Sequence, residues 1–232
     1  MPFRFAAVTG FLLATWTIRS TAQAPALPVS SSPSHNKGLV VQAVGALGDG
    51  DLGTDKALAL TLGYARDRVR VTAILGHAGS REDRFRGTTV FGANASWRLA
   101  RSTSPALSFD VQAGAGAASF DLPANVTLAH LNVPLGVGAA FLAPTPAGNI
   151  ELWAAPRVQL RRSRLTLAGE DETDTHVGGG LATGIEWTSV HGLGVHFAAD
   201  WLRIGSSGGE GHSEWSLALG ALYRWIPRRW SD

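Results

Sequence analysis

Gly211-His212-Ser213-Glu214 sets an imidazole, a hydroxyl and a carboxylate side by side. These are the group types of a hydrolytic site. A serine becomes a nucleophile when a base lies within hydrogen-bond reach and an acid orients that base. Three neighbours on an extended segment point to alternate sides, so His212, Ser213 and Glu214 do not all face one another. Their partners would have to come from other segments, where Glu170, Asp171, Asp174 and His176 lie in one polar stretch and His77 in another. No segment holds a complete nucleophile–base–acid set, and no catalytic residue is assigned. The run Glu170-Asp-Glu-Thr-Asp174 has oxygen ligands suited to Ca²⁺ or another divalent ion, but it reads most simply as a solvated loop. The glycines at 178–180 lack the lysine of a phosphate-binding loop. No metal and no cofactor is expected.

A second set of charges recurs at alternate positions of apolar stretches. Arg68, Arg70, Arg98, Asp110, Glu151, Arg157, Arg161, Glu186, Asp200 and Arg224 all occupy the minority, polar phase of such stretches, with His130 and His196. Six arginines against four acids make ion pairing the natural chemistry. A slight excess of arginine leaves room for a narrow pore with a mild anion preference.

The elements that position these charges are strands. Trp215, Leu217, Leu219, Ala221, Tyr223 and Trp225 alternate with Ser216, Ala218, Gly220, Leu222 and Arg224. A period of two puts one set on each side of a sheet. Nine earlier runs of about ten residues repeat the pattern. They begin near Gly38, Leu58, Arg68, Phe91, Leu107, His130, Ile150, His176 and Val195. The first run is apolar on both faces and takes its register from Gln42; in the others the large apolar residues favour one face, while Gly, Ala, Ser and the charges favour the other. A water-soluble sandwich or lipocalin-like barrel also alternates. It does not require its polar face to be made of small residues, as a narrow lumen does.

Every even-numbered run ends in an outward aromatic: Tyr64, Trp97, Phe141, Trp187, and Tyr223 with Trp225. Together they predict one interfacial girdle. Connections after odd-numbered runs read as longer and more polar, with loops expected at 48–56, 76–87, 118–127, 162–175 and 205–212. Those after even-numbered runs read as tight turns.

Hydrophobic residues make up 45% of the chain and charged residues only 16%, below the usual quarter. That shortage is expected where many positions face lipid. A net charge of +2 is too small to argue for nucleic acid. Without cysteine there is no thiol chemistry. Met1–Arg4 followed by an apolar run from Phe5 to Ile18 and small residues at Ser20, Ala22 and Ala24 reads as a signal peptide over 1–22. The apolar run is too short to span a membrane as a helix. Residues 23–37 read as a disordered lead, 38–225 as the barrel and 226–232 as a periplasmic tail.

On these features the chain resembles the small bacterial outer-membrane β-barrel proteins, OmpA-like and opacity-like. Gly220, Tyr223 and Trp225 match that family's terminal-strand signal. Ala218 stands where it has a polar residue, and the chain continues to Asp232. The resemblance implies outer-membrane lipid and lipopolysaccharide as surroundings, and insertion by the outer-membrane assembly machinery. Some such barrels are rim proteases using Asp and His, and some are lipid hydrolases using His, Ser and Glu. The expected fold is all-β: a closed, antiparallel, up-and-down transmembrane barrel of ten strands, or eight if the first and ninth runs are peripheral. The expected role is an integral outer-membrane protein with a side-chain-filled lumen, acting in structure or surface interaction. A narrow pore is second and a rim hydrolase third.

Overall fold

A computed structural model describes residues 37–50, 53–80, 87–103, 106–123, 126–206 and 209–226. The expected signal peptide, the lead up to residue 36 and the tail beyond Ile226 lie outside the described residues. Ten strands follow one another: β1 (Gly38–Gly50), β2 (Gly53–Arg66), β3 (Val69–Ser80), β4 (Thr88–Arg101), β5 (Leu107–Leu122), β6 (Val126–Thr145), β7 (Gly148–Leu167), β8 (Glu170–Ser189), β9 (Leu193–Ser206) and β10 (Gly209–Trp225). Each pairs antiparallel with its sequence neighbours, and β1 pairs with β10 to close the barrel. Ten strands therefore form the wall, not eight, and the first and ninth are full members.

The closure is staggered. A row of register partners from Phe91 runs through Ala117, Leu131 and Arg162 to Thr175 on β8. The opposite route from Phe91 runs through Leu75, Leu60, Ala43, Ala221 and Val195 to Trp187. The two arrivals on β8, Thr175 and Trp187, lie twelve residues apart. Ten strands with that shear tilt by roughly 40°. The ten residue steps from Trp215 to Trp225 then rise roughly 25 Å, the height of a membrane barrel's apolar band.

The outside is apolar. Leu58, Leu60 and Leu62 on β2, Leu75 on β3, Leu135 and Val137 on β6, and Leu217 and Leu219 on β10 are all exposed. A continuous band of this kind far exceeds the patches tolerated on soluble monomers. The aromatic ends Tyr64, Trp97, Phe141, Tyr223 and Trp225 are exposed and Trp187 half-buried at one rim, with Phe91, Trp201 and Trp215 exposed towards the other. The inside is lined by small residues: Ala46, Ala57, Ala59, Ala118, Ala140, Ala155, Ala182, Ala198 and Ala218 are all buried. Where the lumen admits one large ring, the wall makes room. A Cβ on Gly184 would lie 2.5 Å from the ring of Trp153.

The expected long loops differ most from the structure. Residues 118–122 and 126–127 continue β5 and β6, and residues 162–167 and 170–175 continue β7 and β8. β9 and β10 likewise run on to Ser206 and from Gly209, and β3 to Ser80. The asymmetry between the two ends therefore lies in strand extension. Strands β6, β7 and β8 each have 20 residues and stand above the lipid band as a projecting sheet. Phe120 and Leu128 are buried on its inner face, with Leu122 and Leu165 packed against that cluster. The β7–β8 connection is a two-residue turn in which Ala168 (φ 51°) and Gly169 (φ 88°) both take positive φ, as a twisted hairpin requires.

Candidate functional site: the charged lumen

Strand parity and stagger bring the inward charges together at three levels. At the level of the aromatic girdle, Arg224 Nη2 donates to Glu186 Oε1 at 2.7 Å, both buried. Thr188 Oγ1 donates to the same oxygen at 3.3 Å. His196 Nδ1 lies 3.8 Å from the other oxygen, outside hydrogen-bond range, and its ring stacks on Trp153 with centroids 6.1 Å apart. Arg70, also buried, lies in the field of Glu186, Arg224, Glu151 and Asp110. Gln112 Nε2 donates to both oxygens of Asp110, at 3.2 and 3.3 Å.

Midway, the Arg157 guanidinium meets Asp200 through two bonds, Nη1 to Oδ1 at 2.6 Å and Nη2 to Oδ2 at 2.8 Å. The side chains are 1% and 0% exposed, so this pair is wholly withdrawn from solvent. Near the outer mouth Arg161 makes the same two-pronged contact with Glu214, at 2.7 and 2.9 Å. Its Nε donates to Asn132 Oδ1 at 3.0 Å, which Gln159 Nε2 also reaches at 3.0 Å. His212 Nε2 lies 3.0 Å from Glu214 Oε1. Two-pronged pairing satisfies both carboxylate oxygens and fixes the guanidinium plane, which is how charges persist in a dry lumen.

Two of the expected lumen residues lie elsewhere. Arg68 is exposed in the β2–β3 turn, one position before β3 begins. Arg98 is half-buried at the rim, where its Nη2 donates to the carbonyl of Asp67. It binds the adjacent turn rather than the lumen charges; it is still in register with Asp110, at the last position before strand β4 bulges between Arg98 and Ala100. The other eight are buried together inside the barrel. Glu214 joins them, although its neighbours suggest a rim site. It faces inward while Ser213 is exposed, so Ser213 and His212 diverge.

A different serine and histidine meet at the outer mouth. Ser163 Oγ lies 3.0 Å from His130 Nδ1. The ring packs edge-on against Phe120, and His130 Nε2 has no hydrogen-bond partner among the described residues. Parity extended along β7 past Arg161 would have placed Ser163 inside; its charged neighbours hid that continuation. Among the described residues no group of three His, Cys, Asp or Glu is arranged to hold a metal ion.

No family model matches the sequence, and no curated protein matches it. Solved structures do. Neisserial surface protein A is 14% identical over 81% of this chain and 96% of its own, with a TM-score of 0.39. Ail, the attachment invasion locus protein of Yersinia pestis, is 11% identical over 82% of this chain and 99% of its own, at 0.40. The outer membrane protease OmpT of Escherichia coli is 8% identical over 84% of this chain and 99% of its own, at 0.48. At these identities the likeness concerns the barrel fold alone.

Proposed function

We propose that the protein is an integral barrel of a bacterial outer membrane, with a filled lumen and a structural or surface-interaction role. The observation that carries this reading is the stack of paired charges. Arg224–Glu186, Arg157–Asp200 and Arg161–Glu214 follow one another from the girdle to the outer mouth, each pair buried inside the barrel. The outward band supports a lipid setting. Arg162 and Arg203, exposed and outward-facing beyond Leu160 and Trp201, suit the phosphates of outer-leaflet lipopolysaccharide. With the lumen plugged and the projecting sheet outside, recognition falls to that sheet. Purified protein in planar bilayers is expected to give no reproducible conductance. Steady single-channel steps would replace this reading with the narrow pore.

The contact of Ser163 with His130 favours a second reading, a hydrolase of the outer mouth. Ser163→Ala is expected to abolish any lipid or peptide hydrolysis the purified protein shows. Activity that survives the change would remove this pair.

A further inference from the structure

We propose that residues 170–175 of β8 take up an extended basic polypeptide as an added strand. This deepens the surface-interaction reading and rests on it.

The pairing registers leave this edge open. β8 pairs with β7 as far as Leu167↔Glu170, but its ladder with β9 begins only at Gly178↔Ile204. Among the described residues, 170–175 are thus paired on one side, and of their amides that of Thr175 donates to the Asp174 carboxylate at 2.7 Å. No other backbone hydrogen bond joins them to a turn or strand among the described residues. An edge strand presents unpaired N–H and C=O groups at a fixed repeat, a template for another strand. The template is held in shape from behind. β7 pairs with β6 up to Val126↔Leu167, and β6 with β5 up to Leu122↔Val126. An added strand would meet a preformed edge and would alone bear the ordering cost.

Charge selects the occupant. Glu170, Glu172 and Asp174 are exposed at alternate positions, so they share one face at a repeat of roughly 6.6–6.8 Å. Lys or Arg at alternate residues of an added strand falls at the same repeat. On the opposite face Asp171 is held by Arg164 and Thr166. Many natural edges are blocked by lysine, proline or a bulge; residues 170–175 contain neither lysine nor proline. Their acids discourage a second copy of this chain, since antiparallel self-pairing would oppose like charges. They discourage acidic partners equally, and leave a basic one favoured.

The test uses the folded full-length protein in detergent and a seven-residue peptide alternating Lys and Thr. The peptide is expected to bind saturably and to slow amide hydrogen exchange at 170–175. The triple variant Glu170→Gln, Glu172→Gln, Asp174→Asn is expected to weaken binding roughly tenfold, the yield of three exposed charge pairs. Two N-methylated peptides separate strand addition from charge attraction. N-methylation of alternate amides in one phase should abolish the exchange protection, and in the other phase should leave it. Equal behaviour of both with the parent peptide would overturn strand addition, as would absence of binding at low salt. Either failure leaves the filled-barrel reading standing, because that is read by conductance.

Discussion

Arg157 and Asp200 meet inside the lumen through two parallel bonds, Nη1 to Oδ1 at 2.6 Å and Nη2 to Oδ2 at 2.8 Å. The strands that carry them are not neighbours: β7 and β9 are separated by β8. The pair therefore reaches across the intervening strand, over the buried Ala182, which is in register with Asp200.

Removing one partner should cost more than removing both. Asp200→Ala leaves a guanidinium buried without its counter-charge, at a cost of about 3–5 kcal/mol. The double variant Arg157→Met, Asp200→Leu exchanges the pair for apolar volume and is expected to be near neutral. Urea unfolding of the folded barrel in detergent micelles measures both. Equal losses in the two variants would show that the charge pair itself stabilises the barrel.

The facing of β10 can be tested by a charge in lipid. Leu219 is 65% exposed midway between Trp215 and Tyr223. Leu219→Arg is expected to cost about 2–4 kcal/mol in bilayer refolding experiments. Ala218 is buried inside the barrel, and Ala218→Ser, which adds one hydroxyl to a polar lumen, should cost less than about 1 kcal/mol. A Leu219→Arg variant as stable as the parent would place that face away from lipid.

The β8–β9 turn depends on a glycine. Gly192 has φ 87°, and a Cβ there would lie 2.1 Å from the carbonyl oxygen of Arg224. Its own carbonyl accepts from Arg224 N at 2.8 Å, so the turn is tied to β10 beside the inner ion pair. Gly192→Ala meets both backbone strain and a collision, and should cost at least about 1–3 kcal/mol. The temperature at which the heat-shifted gel band converts to the unfolded one reports it. Gly179 has no atom within 4 Å of such a Cβ, and Gly179→Ala is the control expected to leave that temperature unchanged.

Within the lipid band the arrangement was legible because two solvents impose it. Leu58, Leu60, Leu62 and Tyr64 face outward and Ala57, Ala59 and Gly63 the lumen, and the small size of the inner set separates this alternation from that of a soluble barrel. Above the band both faces of a strand meet water or a small inner cluster, and alternation loses its contrast. Arg162, Ser163 and Arg164 therefore read as loop although they continue β7. Phe120 and Leu128, paired across β5 and β6, were the apolar trace of the extension. The turn Ala168-Gly169 was equally hidden, since alanine is not a usual residue for positive φ. Which acid meets which arginine was beyond parity. Arg161 finds Glu214 three strands away through the stagger of the closed sheet, and no local spacing encodes that.

The projecting hairpin should loosen in acid. Asp171 is exposed, and hydrogen bonds from Arg164 and then from Thr166 hold its carboxyl below the ordinary carboxylate value. A carboxyl depressed in the folded state contributes stability that is present above its unfolded value, about 3.9. That contribution is lost as pH falls through the lower folded value. Amide exchange near Ala168 and Gly169 is thus expected to accelerate relative to the barrel strands only below about pH 4, the unfolded carboxylate value. Arg164→Gln removes the stronger donor, so it should return the Asp171 titration toward its ordinary value, loosen the hairpin at neutral pH and shrink the additional fraying that acid produces. Because the pair is exposed, added salt should weaken its Coulombic part. An Asp171 titration that is the same in the parent and in Arg164→Gln would show that the guanidinium does not hold the carboxylate in solution.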